Sequence, residues 1–229
     1  LTGDAGIGKS RLVYMLKQHV ANQPHTCWEC RSLLYFENTA LFPLTDLFQR
    51  LLQFQGEDTP DEKLGKLEHA LSQYRLSLEA SVPLFAPLLS LSIPESRYAP
   101  LNVTPQRQRQ KTFETLVAIL LELAERQPVL FIIEDLHWTD PTTLELLNLL
   151  IDQTPTASML VLLTCRPTFQ PSWSHRSYLT EMTINRLSHT QMEQIVTRLT
   201  DGKRLPQEVL QQIIDKTDGV PSFIEEITK

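Results

Sequence analysis

Apolar residues follow two rhythms along this 229-residue chain. The first is three-and-four spacing, which lines one face of a helix. Residues 11–20 place Leu12, Val13, Leu16 and Val20 on such a face, and 43–54 place Leu44, Leu47, Phe48, Leu51 and Leu52. Residues 61–74 do the same with Leu64, Leu67 and Leu71. Thr104-Pro105 reads as a helix start, with Thr104 capping and Pro105 in the first turn. That helix runs to about 126, striped by Phe113, Leu116, Val117, Leu120, Leu121 and Ala124. The second rhythm is the unbroken apolar run of a strand buried on both faces. Val129-Leu130-Phe131-Ile132-Ile133, bounded by Pro128, is one such run, and 159–164 is another. Residues 26–34 and 183–187 read as further strands.

Between the helices, 81–100 is rich in Pro and Leu (Pro83, Pro87, Pro94, Pro100) and predicts short helical turns and loops. Asp140-Pro141 opens a helix carrying Leu144, Leu147 and Leu150. Amphipathic helices are expected near 188–200 and 206–216. A turn at Asp218-Gly219-Val220-Pro221 then leads into a last helix, from Ser222 to the end at Lys229. Strands alternating with helices imply an α/β fold with a parallel sheet.

The stretch Gly3-Asp4-Ala5-Gly6-Ile7-Gly8-Lys9-Ser10 fits G-x-x-x-x-G-K-[ST], the phosphate-binding loop of P-loop nucleotidases. Glycines let the backbone approach an anion closely, and successive N–H groups form a nest around a phosphate. Lys9 brings a cation to the β- and γ-phosphates, and Ser10 offers a hydroxyl to Mg²⁺. The helix beginning near Lys9 adds its positive end. The chain has seven glycines, and three of them stand in this loop. The competing reading, a Gly-rich turn before an amphipathic helix, survives only if nothing downstream fits.

Glu134-Asp135 fits, because it follows five apolar residues at the end of a buried strand, where α/β folds form ligand sites. A carboxylate pair there is the Walker B arrangement. Walker B usually places Asp first, but here Glu134 comes first and Asp135 second. Glu134 is assigned to Mg²⁺ and Asp135 to the attacking water, with the exchange of roles as the alternative. Asp140 is read as an N-cap before Pro141. Arg166 closes the 159–164 strand. In P-loop folds of this class that strand lies between the Walker A and Walker B strands, so Arg166 is assigned to sensing the γ-phosphate. Its alternative is a surface arginine before the turn at Pro167.

Composition narrows the picture. Apolar residues make up 41% and charged residues 21%, ordinary for a globular protein, and the length allows one large or two small domains. The formal net charge of −6 argues against direct nucleic-acid binding or an anionic-membrane surface. No apolar run reaches membrane-spanning length, and nothing resembles a signal peptide. Three cysteines, an odd and sparse count, fit a reducing compartment, so a cytoplasmic location is expected. Cys27-Trp28-Glu29-Cys30 lacks a second Cys pair for zinc and falls on a predicted strand, so a core role is preferred. Arg107, Arg109 and Lys111 cluster where a helix N-terminus disfavours cations, and are read as a solvated face, with an anionic partner as the weaker alternative. Only Leu1 and Thr2 precede Gly3, so most of the strand that normally leads into such a loop is expected to be missing, as in a domain cut from a longer protein.

Four stretches together carry a resemblance: Gly-Asp-Ala-Gly-Ile-Gly-Lys-Ser-Arg-Leu, Ile-Ile-Glu-Asp-Leu-His-Trp-Thr-Asp-Pro, Leu-Leu-Thr-Cys-Arg-Pro and Thr-Asp-Gly-Val-Pro-Ser-Phe-Ile-Glu-Glu-Ile-Thr-Lys. The chain resembles a STAND-type, AAA-related signalling ATPase. It is most similar to modules of bacterial multidomain proteins that carry a class III adenylate/guanylate cyclase domain and tetratricopeptide repeats, and to those of LuxR-type regulators. The resemblance implies a P-loop NTPase three-layer sandwich over 1–187, with its first strand truncated and a helical insertion at about 35–127. Residues 188–229 would begin a small helical subdomain. It implies ATP/ADP and Mg²⁺ as ligands, held by Gly3, Asp4, Ala5, Gly6, Ile7, Gly8, Lys9, Ser10 and Arg11, with Pro221 of the GxP motif packing near the adenine. Neighbouring domains of the same polypeptide and nucleotide-dependent self-association are the implied partners. The implied function is an ATP-operated switch that hydrolyses slowly. A non-hydrolytic nucleotide-binding scaffold and a ring-forming remodelling motor are the rival readings.

Overall fold

The computed structural model describes residues 1–171, 173, 176–203 and 205–228. In chain order the regular elements are α1 (Lys9–Val20), β1 (Thr26–Arg31), α2 (Phe42–Leu51), α3 (Pro60–Leu71), α4 (Leu78–Leu88), α5 (Pro105–Arg126), β2 (Val129–Glu134), α6 (Pro141–Gln153), β3 (Met159–Leu163), α7 (His189–Leu199), α8 (Gln207–Thr217) and α9 (Pro221–Thr228). The predicted last helix is α9; its expected final residue, Lys229, lies outside the described residues. The chain divides into two compact units. One is Gln23–Leu163; the other joins Leu1–Asn22 to the segment from Thr164 onward.

The first unit is built on a parallel sheet of order β1-β2-β3. Strand β2 is central, and every one of its residues is buried, as an apolar run with a neighbour on each side requires. Helices α2 and α5 pack on β1 and β2. An aromatic chain links sheet to helices: Trp28 meets Phe48 edge-on at 5.6 Å, and Phe48 meets Phe85 at 5.2 Å. The α/β class with a parallel sheet is therefore as expected.

Local signals set the helix boundaries. The Thr59, Thr104, Asp140 and Ser188 side chains each accept a backbone N–H at the start of α3, α5, α6 and α7. Leu64, Leu67 and Leu71 are buried on α3 as their spacing predicts. Arg109, in the cationic cluster of α5, pairs with Glu145 at 3.4 Å, an exposed contact with an anionic partner.

Three expectations change. Residues 81–100 are not all turns and loops, because Leu78–Leu88 is a continuous helix with Pro83 and Pro87 inside it. Each internal proline forfeits a backbone hydrogen bond. Burial of Val82, Leu84, Phe85 and Ala86 outweighs that loss. Strand β1 stops at Arg31 rather than 34, and Leu34–Phe36 form a 3₁₀ turn. The segment 183–187 is not a strand: Thr183 makes an isolated bridge to Thr2. Past that bridge the backbone changes partner, Leu187 N donating to Gly219 O at 2.9 Å.

The CxxC lies on β1, with Cys30 fully buried. Burial pushes the Cys30 thiol up to about 12, so it stays protonated and unreactive at neutral pH. Iodoacetamide at pH 8 is expected to label Cys30 only after unfolding, read by peptide mass spectrometry. Full labelling in the folded chain would contradict this packing.

Helices α7, α8 and α9 of the second unit share a small core of Met192, Val196, Ile213, Ile214 and Ile224. Leu187, Leu205 and Leu210 pack at its margin. No helix among the described residues is long and apolar enough to cross a membrane.

Candidate functional site: phosphate loop and strand-end acids

The phosphate loop belongs to the second unit, and short backbone bonds pin it there. Gly3 N donates to Cys165 O at 3.3 Å, and Cys165 N donates to Leu1 O at 3.0 Å. Thr2 N donates to Met182 O and Ile184 N to Thr2 O, both at 2.8 Å. The two residues before Gly3 thus run between two neighbouring segments. Arg166, next to Cys165, is brought to the base of the loop by the same pairing.

Ile7 is buried beneath the loop. Gly6 and Gly8 take positive φ of 73° and 106°, and Gly8 leads into α1 without any side-chain cap. A helix start led by glycine, with no capping side chain at Gly8, suits an anion. Lys9 is buried, and its ammonium donates to Gly3 O and Asp4 O, both at 2.9 Å. A buried cation needs such acceptors, and phosphate oxygens are stronger ones. Ser10 and Arg11 are exposed on the first turn of α1, with the Arg11 guanidinium 5.6 Å from the Tyr14 ring. Ala5 is exposed at the loop tip. These residues fit a nucleoside polyphosphate.

The GVP turn lies against the loop. Ser222 N donates to Gly6 O at 3.3 Å. A methyl group on Gly6 would stand 2.1 Å from Ser222 Oγ and 3.1 Å from Val220. Only glycine fits here, both for its positive φ and for this approach. Pro221 begins α9, so its missing N–H costs the helix nothing.

In the other unit, Glu134 is the last residue of β2 and is buried. Its carbonyl accepts from Ser32 N at 3.0 Å. Asp135 follows in the left-handed region at φ 60°, which ends the strand and turns the chain into the 3₁₀ turn Leu136–Trp138. Asp tolerates that conformation better than most residues. The Arg31 guanidinium lies 3.4 Å from the Asp135 carboxylate, and the Ser32 and Thr139 hydroxyls hydrogen-bond across the same strand ends. Asp140 is an N-cap as expected: its carboxylate accepts from Thr143 N at 2.9 Å and from the Thr143 hydroxyl.

Residues 1–163 match the family described as an AAA ATPase domain. This chain belongs to that family. An AAA ATPase domain generally binds ATP or ADP with Mg²⁺, and the matched span takes in the phosphate loop and both strand-end acids. Arg166 and the GVP turn lie beyond it. An uncharacterized protein of Rhizobium meliloti (strain 1021) is 27% identical over 241 residues, covering 99% of this chain. The chain spans 22% of that relative's length.

Three residues beside these groups escaped the sequence reading. Arg31 stands beside Asp135 because β1 and β2 pair in register, Arg31 opposite Glu134. A polar residue at the end of a neighbouring strand was the available signal. Ser222 and Arg186 reach the loop from more than 180 positions away, and no local pattern marks them.

Proposed function

We propose that this AAA ATPase domain is an ATP-binding, slowly hydrolysing regulatory switch of the STAND type within a multidomain signalling protein. Lys9 and the loop backbone from Gly3 to Arg11 hold the phosphates. Ser10 and Glu134 are the Mg²⁺ ligands, and the ion, when bound, neutralises charge on the phosphates. Asp135 orients the attacking water, and Arg166 reads the γ-phosphate. Pro221 contacts the base and passes the nucleotide state to the helices from 188 onward. Cytoplasmic neighbouring domains, with cyclase or tetratricopeptide architecture, are the proposed partners.

The observation that carries this reading is the bond between Gly6 O and Ser222 N, which joins the phosphate loop directly to the start of α9. Asp135→Asn tests the hydrolytic role. The variant is expected to bind ATP within about threefold of wild type and to release phosphate at least about 100-fold more slowly, a general-base contribution. Equal phosphate release would remove Asp135 from the reaction.

The unusual Glu-Asp order and the Arg31 contact on Asp135 favour a second reading, a nucleotide-binding scaffold without turnover. Wild-type protein that retains ATP unchanged, with every neighbouring domain present, would select it.

A further inference from the structure

The loop carries an acidic side chain, which is awkward for a site that takes a polyphosphate. Asp4 lies within it, and a second carboxylate, Asp218, opens the GVP turn at φ 46°. Two anions there oppose an anionic ligand. Arg186 answers both. Its Nε and Nη2 donate to Asp4 Oδ2 at 3.4 and 3.2 Å, and its Nη1 donates to the Asp218 carboxylate. The backbone around Arg186 is held independently. Ile184 N donates to Thr2 O at 2.8 Å, and Leu187 N donates to Gly219 O at 2.9 Å. A methyl group on Gly219 would stand 2.7 Å from Leu187 O. Arg186 therefore sits on a strut running from the foot of the phosphate loop to the GVP turn, with a forked cation spanning the two acids.

We propose that Arg186 is a positioning residue of the nucleotide site, masking Asp4 and Asp218 so that the loop and the GVP turn accept a nucleoside di- or triphosphate together. This rests on the nucleotide reading above. With Lys9 and Arg186 present, the two cations balance the two carboxylates. Without Arg186 the cluster is net negative and faces the phosphates. A lysine at 186 keeps the charge but not the fork. The three side chains are about half exposed or more, so the effect is moderate and salt-sensitive.

The test is titration of the full chain with fluorescent ADP and Mg²⁺ at about 50 mM and about 500 mM salt. Arg186→Ala is expected to weaken binding about three- to tenfold at low salt and less than about twofold at high salt. Arg186→Lys should lose less. Asp4→Asn introduced into the Arg186→Ala variant should recover most of the loss, which repair of folding alone would not do. Thermal melting runs alongside. Low-salt binding by Arg186→Ala equal to wild type overturns the proposal. So does a loss that is the same at both salts, tracks melting and is not recovered by Asp4→Asn. Wild type that binds no ADP, or binds it equally with Lys9→Ala, overturns the nucleotide reading itself and this inference with it.

Discussion

Lys9→Ala should abolish nucleotide binding while leaving the fold intact. The Lys9 ammonium is buried and already directed at loop carbonyls, so its rotamer and desolvation are settled before any ligand arrives. Each charged hydrogen bond is worth about 1.5–3 kcal/mol, and a lysine reaching two phosphates forms two. The expected loss of affinity is at least about 100-fold. The loop itself is held by the Gly3, Thr2 and Cys165 backbone bonds, none of which uses the Lys9 side chain. Melting should therefore move by only a few degrees, on the order of ΔΔG near 1 kcal/mol. Isothermal titration with ADP and Mg²⁺, paired with a thermal melt, separates the two effects. Wild-type affinity in the variant would mean that this loop is not the nucleotide site.

Gly219→Ala is expected to destabilise the second unit strongly. The residue sits at φ 75°, where a side chain costs about 1–2 kcal/mol. The new methyl would also meet the Leu187 carbonyl oxygen at 2.7 Å, and the Leu187–Gly219 hydrogen bond keeps that backbone from moving aside. The combined loss is about 2–4 kcal/mol. Gly202 is the control. Its φ is 77°, yet nothing lies within 4 Å of its added methyl, so Gly202→Ala should cost only about 1–2 kcal/mol. Urea unfolding of the two variants reads the difference. Equal losses would show that the contact with Leu187 does not constrain the GVP turn.

Much of this was legible in the sequence because the signals are local. The strand β2 reads directly from its apolar run, and the Thr104 and Asp140 caps from their following prolines. The phosphate loop reads from glycine spacing, since backbone conformation there is set by which residues lack a Cβ. The illegible parts are those decided by distant partners. Helix α4 contradicts its own prolines because tertiary burial overrides propensity. The segment 183–187 has the residues of a strand, but its backbone bonds go first to Thr2 and then to Gly219. Arg186 and Ser222 carry no mark of their own; their importance comes from lying against Asp4 and Gly6 across the fold.

The AAA ATPase domain match spans the loop and the strand-end acids. The link from the loop to α9 is what makes this domain a candidate switch, because it gives the helices a direct contact with the residues around the phosphates. The measurement that tests this most directly is amide hydrogen exchange with no nucleotide, with ADP and Mg²⁺, and with a slowly hydrolysed ATP analogue and Mg²⁺. Both nucleotides should slow exchange across 3–12, and the two should differ at 218–224, where Ser222 N bonds Gly6 O. Identical exchange at 218–224 in the two nucleotide states, with the loop protected in both, would contradict the switch.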